Sequence, residues 1–455
     1  MATCERSRRA RADERVRSPC RPVAWAARSL LVLVLVLVGC GGASPVAQRF
    51  LPEDLATPSG PDPAPARGLF TPGPIPDFAP MRVIATHEDL SDMAPGLLPE
   101  LQLQLGRGHV VIDRRQVRAH DPEPTEVEAL DDTLVWKRDY QPIYVRDHVG
   151  KVTALHYLAD NPNRVRAPTH HDAQVRDRVM PLVHENGNLV TNGRFVFVTD
   201  QILDENAEPR EERHLLEHGY RARRPDEVLR VLSQHLLRPV EDIIVLPTMP
   251  YEATGHVDLF LLPLDERTVI VPVIEPKVMA LLAEERVRHI AQVIRVFLDE
   301  QASYLRDLGL EVLRLPMIPP AMGVYPEDDE AVTDGLFELL VFSPANALLA
   351  NVDGRRHVFL PGFDEVAELP ALAKEARSYT ARWEEAFRER GWAPHVVDAS
   401  ALVAYLGLFR CVTAAIPEAS AVASATPKPL APGRVRSMVP GTLANPGHQP
   451  DLPRL

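Results

Sequence analysis

Apolar residues run along this chain in short alternating or continuous blocks, separated by longer stretches with helical spacing. Met81–Ala85 and His109–Asp113 read as strands around a helix near Leu90–Leu105. Thr133–Val145 and Lys151–Tyr157 are strand-like, with a turn at Asp147-His148-Val149-Gly150, and the polar stretch Arg164–Val179 reads as a loop. Arg194–Asp200 is a strand, and Glu211–Leu237 is helical with a restart at Arg224-Pro225-Asp226. Ile243–Leu246 and Val257–Val271 are strands, the second broken at Leu264-Asp265-Glu266-Arg267; Val278–Leu308 is a long helix. Val312–Leu315, Leu339–Phe342, Ala347–Ala350, His357–Leu360 and His395–Asp398 are strands, and Asp364–Arg390 is helical. Groups of short strands thus alternate with single helices about five times, which predicts an α/β fold. Periodicity alone fits one ordinary sheet or several small sheet-plus-helix modules around an axis.

Composition sets the limits of that fold. Proline, 44 residues in all, crowds into Gly41–Pro80 and Glu418–Leu455, which read as a tether and a tail. The expected division is a signal segment over residues 1–39, a proline-rich tether over 40–80, one folded domain over 81–417 and a disordered proline-rich tail over 418–455. The signal reading rests on an Arg-rich stretch, the unbroken Leu/Val run Leu30–Val38 and then Leu37-Val38-Gly39-Cys40. The apolar run is short for a membrane span. Leu-Val-Gly-Cys resembles a bacterial lipobox, in which Cys40 becomes the lipidated first residue of the mature chain; the other reading is an ordinary signal peptide cleaved nearby. Either way the expected location is the cell envelope, lipid-anchored in the first case.

The formal net charge is −13, and it becomes more negative once the Arg-rich start is removed. That speaks against nucleic acid as a partner and is compatible with a cationic ligand. The targeting segment also changes the meaning of the four cysteines. Cys4 and Cys20 leave with the signal and Cys40 is lipidated, so Cys411 stands alone in a compartment where paired cysteines form disulfides. Its thiol is either a small buried hydrophobe or a group kept for its reactivity.

Four polar clusters lie at strand ends or turns: Trp136-Lys137-Arg138-Asp139-Tyr140-Gln141-Pro142, His184-Glu185-Asn186-Gly187-Asn188, Thr254-Gly255-His256-Val257-Asp258, and the stretch around Cys411. His256 and Asp258 stand two apart on a strand, so both project from the same face. A thiol, a histidine and paired carboxylates suit chemistry on a guanidinium. Carboxylates grip its nitrogens, the thiolate attacks its carbon, and the histidine protonates the departing amine and later activates water. The chemistry calls for no cofactor and no metal. Each part alone has a plainer meaning, as a solvated charged turn or a core histidine. His170-His171-Asp172 with His184 offers only a weak metal pattern, and Glu327-Asp328-Asp329-Glu330 reads as an exposed acidic loop.

Together the clusters resemble the guanidine-modifying pentein superfamily, and within it the agmatine deiminases and bacterial-type peptidylarginine deiminases. Trp136-x-Arg138-Asp139-x-x-Pro142 is similar to their Trp-x-Arg-Asp-x-Gly-Pro, Glu185-Asn186-Gly187-Asn188 to Glu-Gly-Gly-Asn, and Gly255-His256-Val257-Asp258 to Gly-His-x-Asp. Ser343-Pro344-Ala345-Asn346 through Asn351 to Pro361 is similar to Ser-Tyr-x-Asn…Asn-Gly…Pro-x-Phe, and Arg410-Cys411-Val412-Thr413 through Pro417 to the closing His-Cys-x-Thr…Pro. All five stand in family order.

The resemblance implies a single-domain, five-bladed α/β propeller of ββαβ-type modules with its site on the axis. It implies Cys411 as nucleophile, His256 as general acid and base, Asp139 and Asp258 as guanidinium ligands, and Trp136, Glu185 and Asn346 as further substrate contacts. The implied reaction is hydrolytic deimination through a covalent thiouronium. Agmatine would give N-carbamoylputrescine and ammonia, and peptidyl-arginine would give citrulline and ammonia. A non-catalytic lipoprotein that binds guanidino or polyamine cations on the same scaffold, or an amidinotransferase, are the alternatives. The chain departs from the family pattern at Gln141, at Asn186 and at Leu408-Phe409-Arg410, where glycines are usual. With Leu408-Phe409-Arg410 filling the approach to Cys411, the lost glycines would narrow or reshape the pocket.

Overall fold

The fold is a repeated answer to one constraint. Two strands joined by a short turn pair antiparallel, whereas a third strand lying parallel to the second needs a long crossover. The computed structural model describes residues 70–113, 136–159, 175–323, 338–363, 370–403 and 407–418, all within the compact unit Ala64–Leu455. Its strands in chain order are β1 Gly73–Pro74, β2 Met81–His87, β3 Val110–Asp113, β4 Ile143–Arg146, β5 Val152–Leu158, β6 Arg176–Val183, β7 Val190–Thr191, β8 Val196–Thr199 and β9 Ile243–Leu246. They continue as β10 Leu262–Pro263, β11 Thr268–Ile270, β12 Glu311–Leu313, β13 Ile318–Gly323, β14 Glu338–Phe342, β15 Leu348–Val352, β16 Arg355–Gly362, β17 Ala393–Asp398 and β18 Ala414–Pro417.

The result is a mixed α/β structure of several small sheets. β4-β5-β6, β7-β8-β9, β10-β11-β12, β15-β16-β17 and β18-β2-β3 share one plan. In each, the first pair is antiparallel and the second parallel. The last of these brings the two ends of the folded chain together, since Ala415 of β18 faces Ile84 of β2. β1 extends the first sheet beside β4, and β13-β14 is a separate hairpin.

The crossovers carry the helices. Pro225–Leu236 starts with Pro at its first turn, and the Glu227 carboxylate accepts from the Arg224 N–H at 3.1 Å, closing the N-terminal turn. It buries Val228, Leu232 and Leu236, four residues apart, so one stripe faces the sheet. Glu285–Asp307 does the same over a longer span with Ile290, Ile294, Phe297, Leu298 and Leu305. Trp383 of the helix Pro370–Glu389 is fully buried, and its indole N–H donates to the Pro316 carbonyl at 2.7 Å.

Several sequence expectations change here. The helix expected near Leu90–Leu105 is two helices, Leu90–Met93 and Leu97–Leu105, because Pro95-Gly96 interrupts the run. In the run read as Thr133–Val145, Lys137–Tyr140 is a helical turn and the strand begins at Ile143. Residues 133–135 lie outside the described set. Arg176–Val179 is the first half of β6 rather than loop; β6 is an edge strand whose first four residues are exposed, which accounts for their polarity. Val257–Leu259 is a 3-10 turn, not the start of a strand.

The boundary at residue 81 also moves. Residues 70–80 belong to the fold: Gly73 pairs with Arg146 in β4, the Ile75 N–H donates to the Tyr144 carbonyl at 2.8 Å, and Asn351 Nδ2 donates to the Phe78 carbonyl at 3.2 Å. Proline content marked this stretch as tether because it lacks a regular element, yet prolines suit an edge strand followed by a fixed turn. Among the described residues no helix is long and apolar enough to cross a membrane. Residues 1–69 and 419–455, with the proposed signal, Cys40 and the tail, lie outside the described residues, as do His170-His171-Asp172 and Glu327-Asp328-Asp329-Glu330.

Candidate active site

A short turn precedes the first strand of each repeated sheet. Lys137–Tyr140 leads into β4, Asn186–Asn188 into β7, Val257–Leu259 into β10, Pro344–Asn346 into β15, and the turn holding Cys411 into β18. These five turns touch in sequence and close a ring. The Arg138 N–H donates to the Cys411 carbonyl at 2.9 Å, Arg138 Nε to the Asn186 carbonyl at 3.2 Å, and Asn346 Nδ2 to the Asp258 carbonyl at 3.5 Å. The Arg410 N–H donates to Asn346 Oδ1 at 3.2 Å. Gly187 lies against the His256 ring; a β-carbon there would stand 2.9 Å from Cε1 and closer still to Nδ1. The backbone can approach that closely only without a side chain.

The ring gathers the candidate residues. The Lys137–Tyr140 turn is buried rather than solvated, and each charge in it has a counter-charge. Lys137 Nζ lies 2.7 Å from Asp113, Arg138 Nη1 lies 3.2 Å from Asp77, and Asp139 Oδ1 lies 3.8 Å from His256 Nδ1. The Gly187 N–H donates to the same Asp139 oxygen at 3.1 Å. On its other side His256 donates through Nε2 to Glu185 Oε2 at 3.0 Å. Burial works against protonation of this imidazole, but Asp139, Glu185 and Asp258 outweigh it and raise its pKa to about 10. Burial pushes the Asp139 carboxyl upward, with His256 opposing.

Cys411 is buried and points its Sγ at Asn346 Oδ1, 3.4 Å away. Burial, then the charges of Asp258 and Asp139, hold the thiol well above its ordinary pKa. A cation beside Asp258 and Asp139 would offset their share of that push, though not the share due to burial. Asp258 has no solvent exposure, and among the described residues neither of its oxygens has a hydrogen-bond donor. Burial raises its pKa, with Arg410 and His256 opposing. Formally four carboxylates (Asp77, Asp139, Glu185, Asp258) face three cations (Arg138, Arg410 and protonated His256), an imbalance that suits one added positive charge.

Supporting residues fix this geometry. The Tyr157 hydroxyl donates to the carbonyls of Asp139 and Gln141, the latter at 3.1 Å, and so pins the turn that carries Asp139. His184 packs edge-on against Tyr157, 5.2 Å between ring centres, with no hydrogen-bond partner at either nitrogen among the described residues; burial, then His256, lowers its pKa to about 3. His184 is therefore a neutral packing residue. Trp136 lies over Gly407, where a β-carbon would stand 2.6 Å from Cη2. Leu408 and Phe409, expected to fill the approach to the thiol, are instead buried in the main apolar cluster. Only Arg410 of that trio turns toward the charges.

Asp139, Glu185, His256, Asp258, Asn346 and Cys411 are thus neighbours in one ring. His256 and Asp258 reach it from a 3-10 turn rather than from one face of a strand. Asp77, Tyr157 and the close approach of Gly187 were not legible beforehand. Buried Arg138 and Arg410 each demand a counter-ion, which was the available clue to Asp77. A metal could be met by Asp139, Glu185 and His256, whose ligand atoms lie within 4.8 Å of one another, the donor set being one nitrogen and two carboxylate oxygens.

No protein-family model and no curated protein matches the chain. Several solved structures do. An agmatine deiminase of C. jejuni aligns over 76% of this chain and 96% of its own, with 15% identity and TM-score 0.49. An agmatine deiminase of Enterococcus faecalis aligns over 76% and 96%, with 14% identity and TM-score 0.46. A candidate arginine deiminase of Porphyromonas gingivalis aligns over 77% and 99%, with 17% identity and TM-score 0.49. Identity and score are too low to carry fold or function across to this chain.

Proposed function

We propose that this chain is a guanidine deiminase, a hydrolase of C–N bonds, built as a five-bladed propeller with its site where the five leading turns meet. The observation that supports this reading is the convergence of a lone buried thiol, a histidine held between two carboxylates, and a fully buried carboxylate with no hydrogen bond among the described residues.

A guanidinium held between Asp139 and Asp258 lowers the Cys411 pKa, and the thiolate attacks the central carbon. His256, protonated at neutral pH, donates its proton to the departing ammonia, leaving a thiouronium on Cys411. Neutral His256 then takes a proton from water, the hydroxide adds to the same carbon, and the thiolate leaves as the ureido product forms. Before it ionises, the Cys411 thiol donates to Asn346 Oδ1, which fixes where Sγ starts. The substrate is a guanidino group on an alkyl chain, either free as agmatine or in a peptide as arginine. The chain acts in the cell envelope, tethered by a lipid on Cys40.

The experiment is to incubate the purified protein with agmatine and with an arginine-containing peptide and identify the products by mass. A ureido product from either supports the reading. Transfer of an amidino group to an added amine in place of water would instead make it an amidinotransferase. Saturable guanidine binding with no product would make it a binding protein.

A further inference from the structure

The residue before the nucleophile is itself a guanidinium. Arg410 is 3% exposed, and its side chain lies between two carboxylates. Nη2 makes an ion pair with Asp77 Oδ2, while Nε stands 3.9 Å from Asp258 Oδ2. That second distance is too long for a hydrogen bond. Asp77 also receives Arg138 Nη1 at 3.2 Å. One carboxylate therefore takes two guanidinium groups, while the other, fully buried, takes no hydrogen bond at either oxygen from the described residues. If the site binds a guanidinium substrate, as proposed above, Arg410 is a competitor for Asp258 built into the chain and only a small movement away from it.

We propose that Asp77 is a positioning residue for the reaction: by holding Arg410, it keeps Asp258 open to the substrate guanidinium. The inference rests on the deiminase reading and adds a residue from outside the five ring turns. Asp77 is well placed to act as a fixed post. Its segment is anchored on one side by the Ile75–Tyr144 hydrogen bond and on the other by the Asn351–Phe78 hydrogen bond, and the Ala79 N–H donates to the Pro76 carbonyl at 2.9 Å to close the turn around it. Arg138 and Arg410 hold the Asp77 carboxyl below its ordinary pKa in spite of its burial, so it stays an anion. Without that anion, Arg410 is a buried cation whose nearest remaining carboxylate is Asp258.

The test combines kinetics with a crystal structure. Asp77→Asn raises KM for the guanidine substrate by about 10–100-fold while kcat falls by less than about 3-fold, because bound substrate must first displace Arg410. Adding Arg410→Gln to Asp77→Asn removes the competitor and brings KM back to that of Arg410→Gln alone. A merely structural role for Asp77 predicts no such rescue. In crystals of Asp77→Asn the Arg410 guanidinium has moved into hydrogen-bonding contact with Asp258. The proposal is overturned if KM does not change, if the rise in KM survives removal of Arg410, or if Arg410 keeps its place in the crystal. Should Asp77→Asn not fold, Asp77→Glu and the double variant carry the test: KM near wild type in the first and equal to Arg410→Gln in the second support it, and any other pattern overturns it. If the wild type turns over no guanidine at all, the deiminase reading fails by itself, and the position of Arg410 in the crystal still decides whether Asp77 holds it off Asp258.

Discussion

Gly187 and His256 are packed so closely that a single added carbon would not fit between them. A β-carbon at Gly187 would also stand 2.8 Å from Asp139 Oδ1, the oxygen that accepts the Gly187 N–H. Gly187→Ala must therefore push apart the histidine and the carboxylate that holds it. We expect kcat/KM to fall by about 100-fold, the scale associated with a misplacement of about 1 Å. Steady-state kinetics with a folded control by circular dichroism checks this.

The protonation of His256 sets the high-pH behaviour. Its folded pKa of about 10 lies above the ordinary 6.5, so the folded protein holds an extra proton between those values. That contribution to stability is complete below about pH 6.5 and is lost as pH rises through about 10. Activity that needs the imidazolium falls over the same upper limb. Glu185→Gln removes a hydrogen-bonded carboxylate and moves the limb to lower pH. A kcat/KM profile of both proteins between pH 6 and 11 measures the shift.

Asp258 and Cys411 give a prediction in which two readouts move apart. After burial, Asp258 is the largest influence raising the thiol pKa. Asp258→Asn should make Cys411 react with iodoacetamide at lower pH than in wild type, while turnover of guanidines falls by about 100-fold or more as a binding carboxylate is lost. Equal pH profiles for alkylation in the two proteins would separate Asp258 from the thiol.

Much of this site was legible in the chain before any coordinates. The strand–helix alternation foretold an α/β fold with parallel pairings, which need long crossovers, but left one sheet and several small ones equally open. The clusters at Asp139, His256–Asp258 and Cys411 offered a thiol, a histidine and carboxylates, and the role of each came only from the family resemblance. The turn at Val257 was not legible, since Val-Asp-Leu-Phe-Leu-Leu reads as strand by propensity. Asp77 was hidden for a different reason. Its proline-rich surroundings look like linker by composition, and its two partners come from turns 61 and 333 residues away. Long-range ion pairs leave no periodicity. The leucine and phenylalanine before Arg410 were misread in the same way, since core and pocket linings use the same residue types.

The carboxylates beside His256 also predict a response to metal. Zinc should compete with the His256 proton for the site formed by Asp139, Glu185 and His256, inhibiting more strongly as pH rises, and EDTA should restore activity. Inhibition that does not depend on pH would contradict competition with that proton.

The sequence-based anchor can be tested apart from the chemistry. Cys40→Ser should abolish incorporation of labelled palmitate and release the protein from the membrane fraction, with the deiminase activity of the purified chain unchanged, since Cys40 lies outside the folded unit described.

The central claim is that Cys411 is the nucleophile of a guanidine hydrolysis. The direct measurement is ammonia released per mole of ureido product, from agmatine and from an arginine-containing peptide, by wild type and by Cys411→Ala. Equimolar ammonia and ureido product from wild type with at least one substrate, and a loss of about 1,000-fold or more in Cys411→Ala, is the predicted result. No ammonia from wild type, or the same ammonia from both proteins, would contradict it.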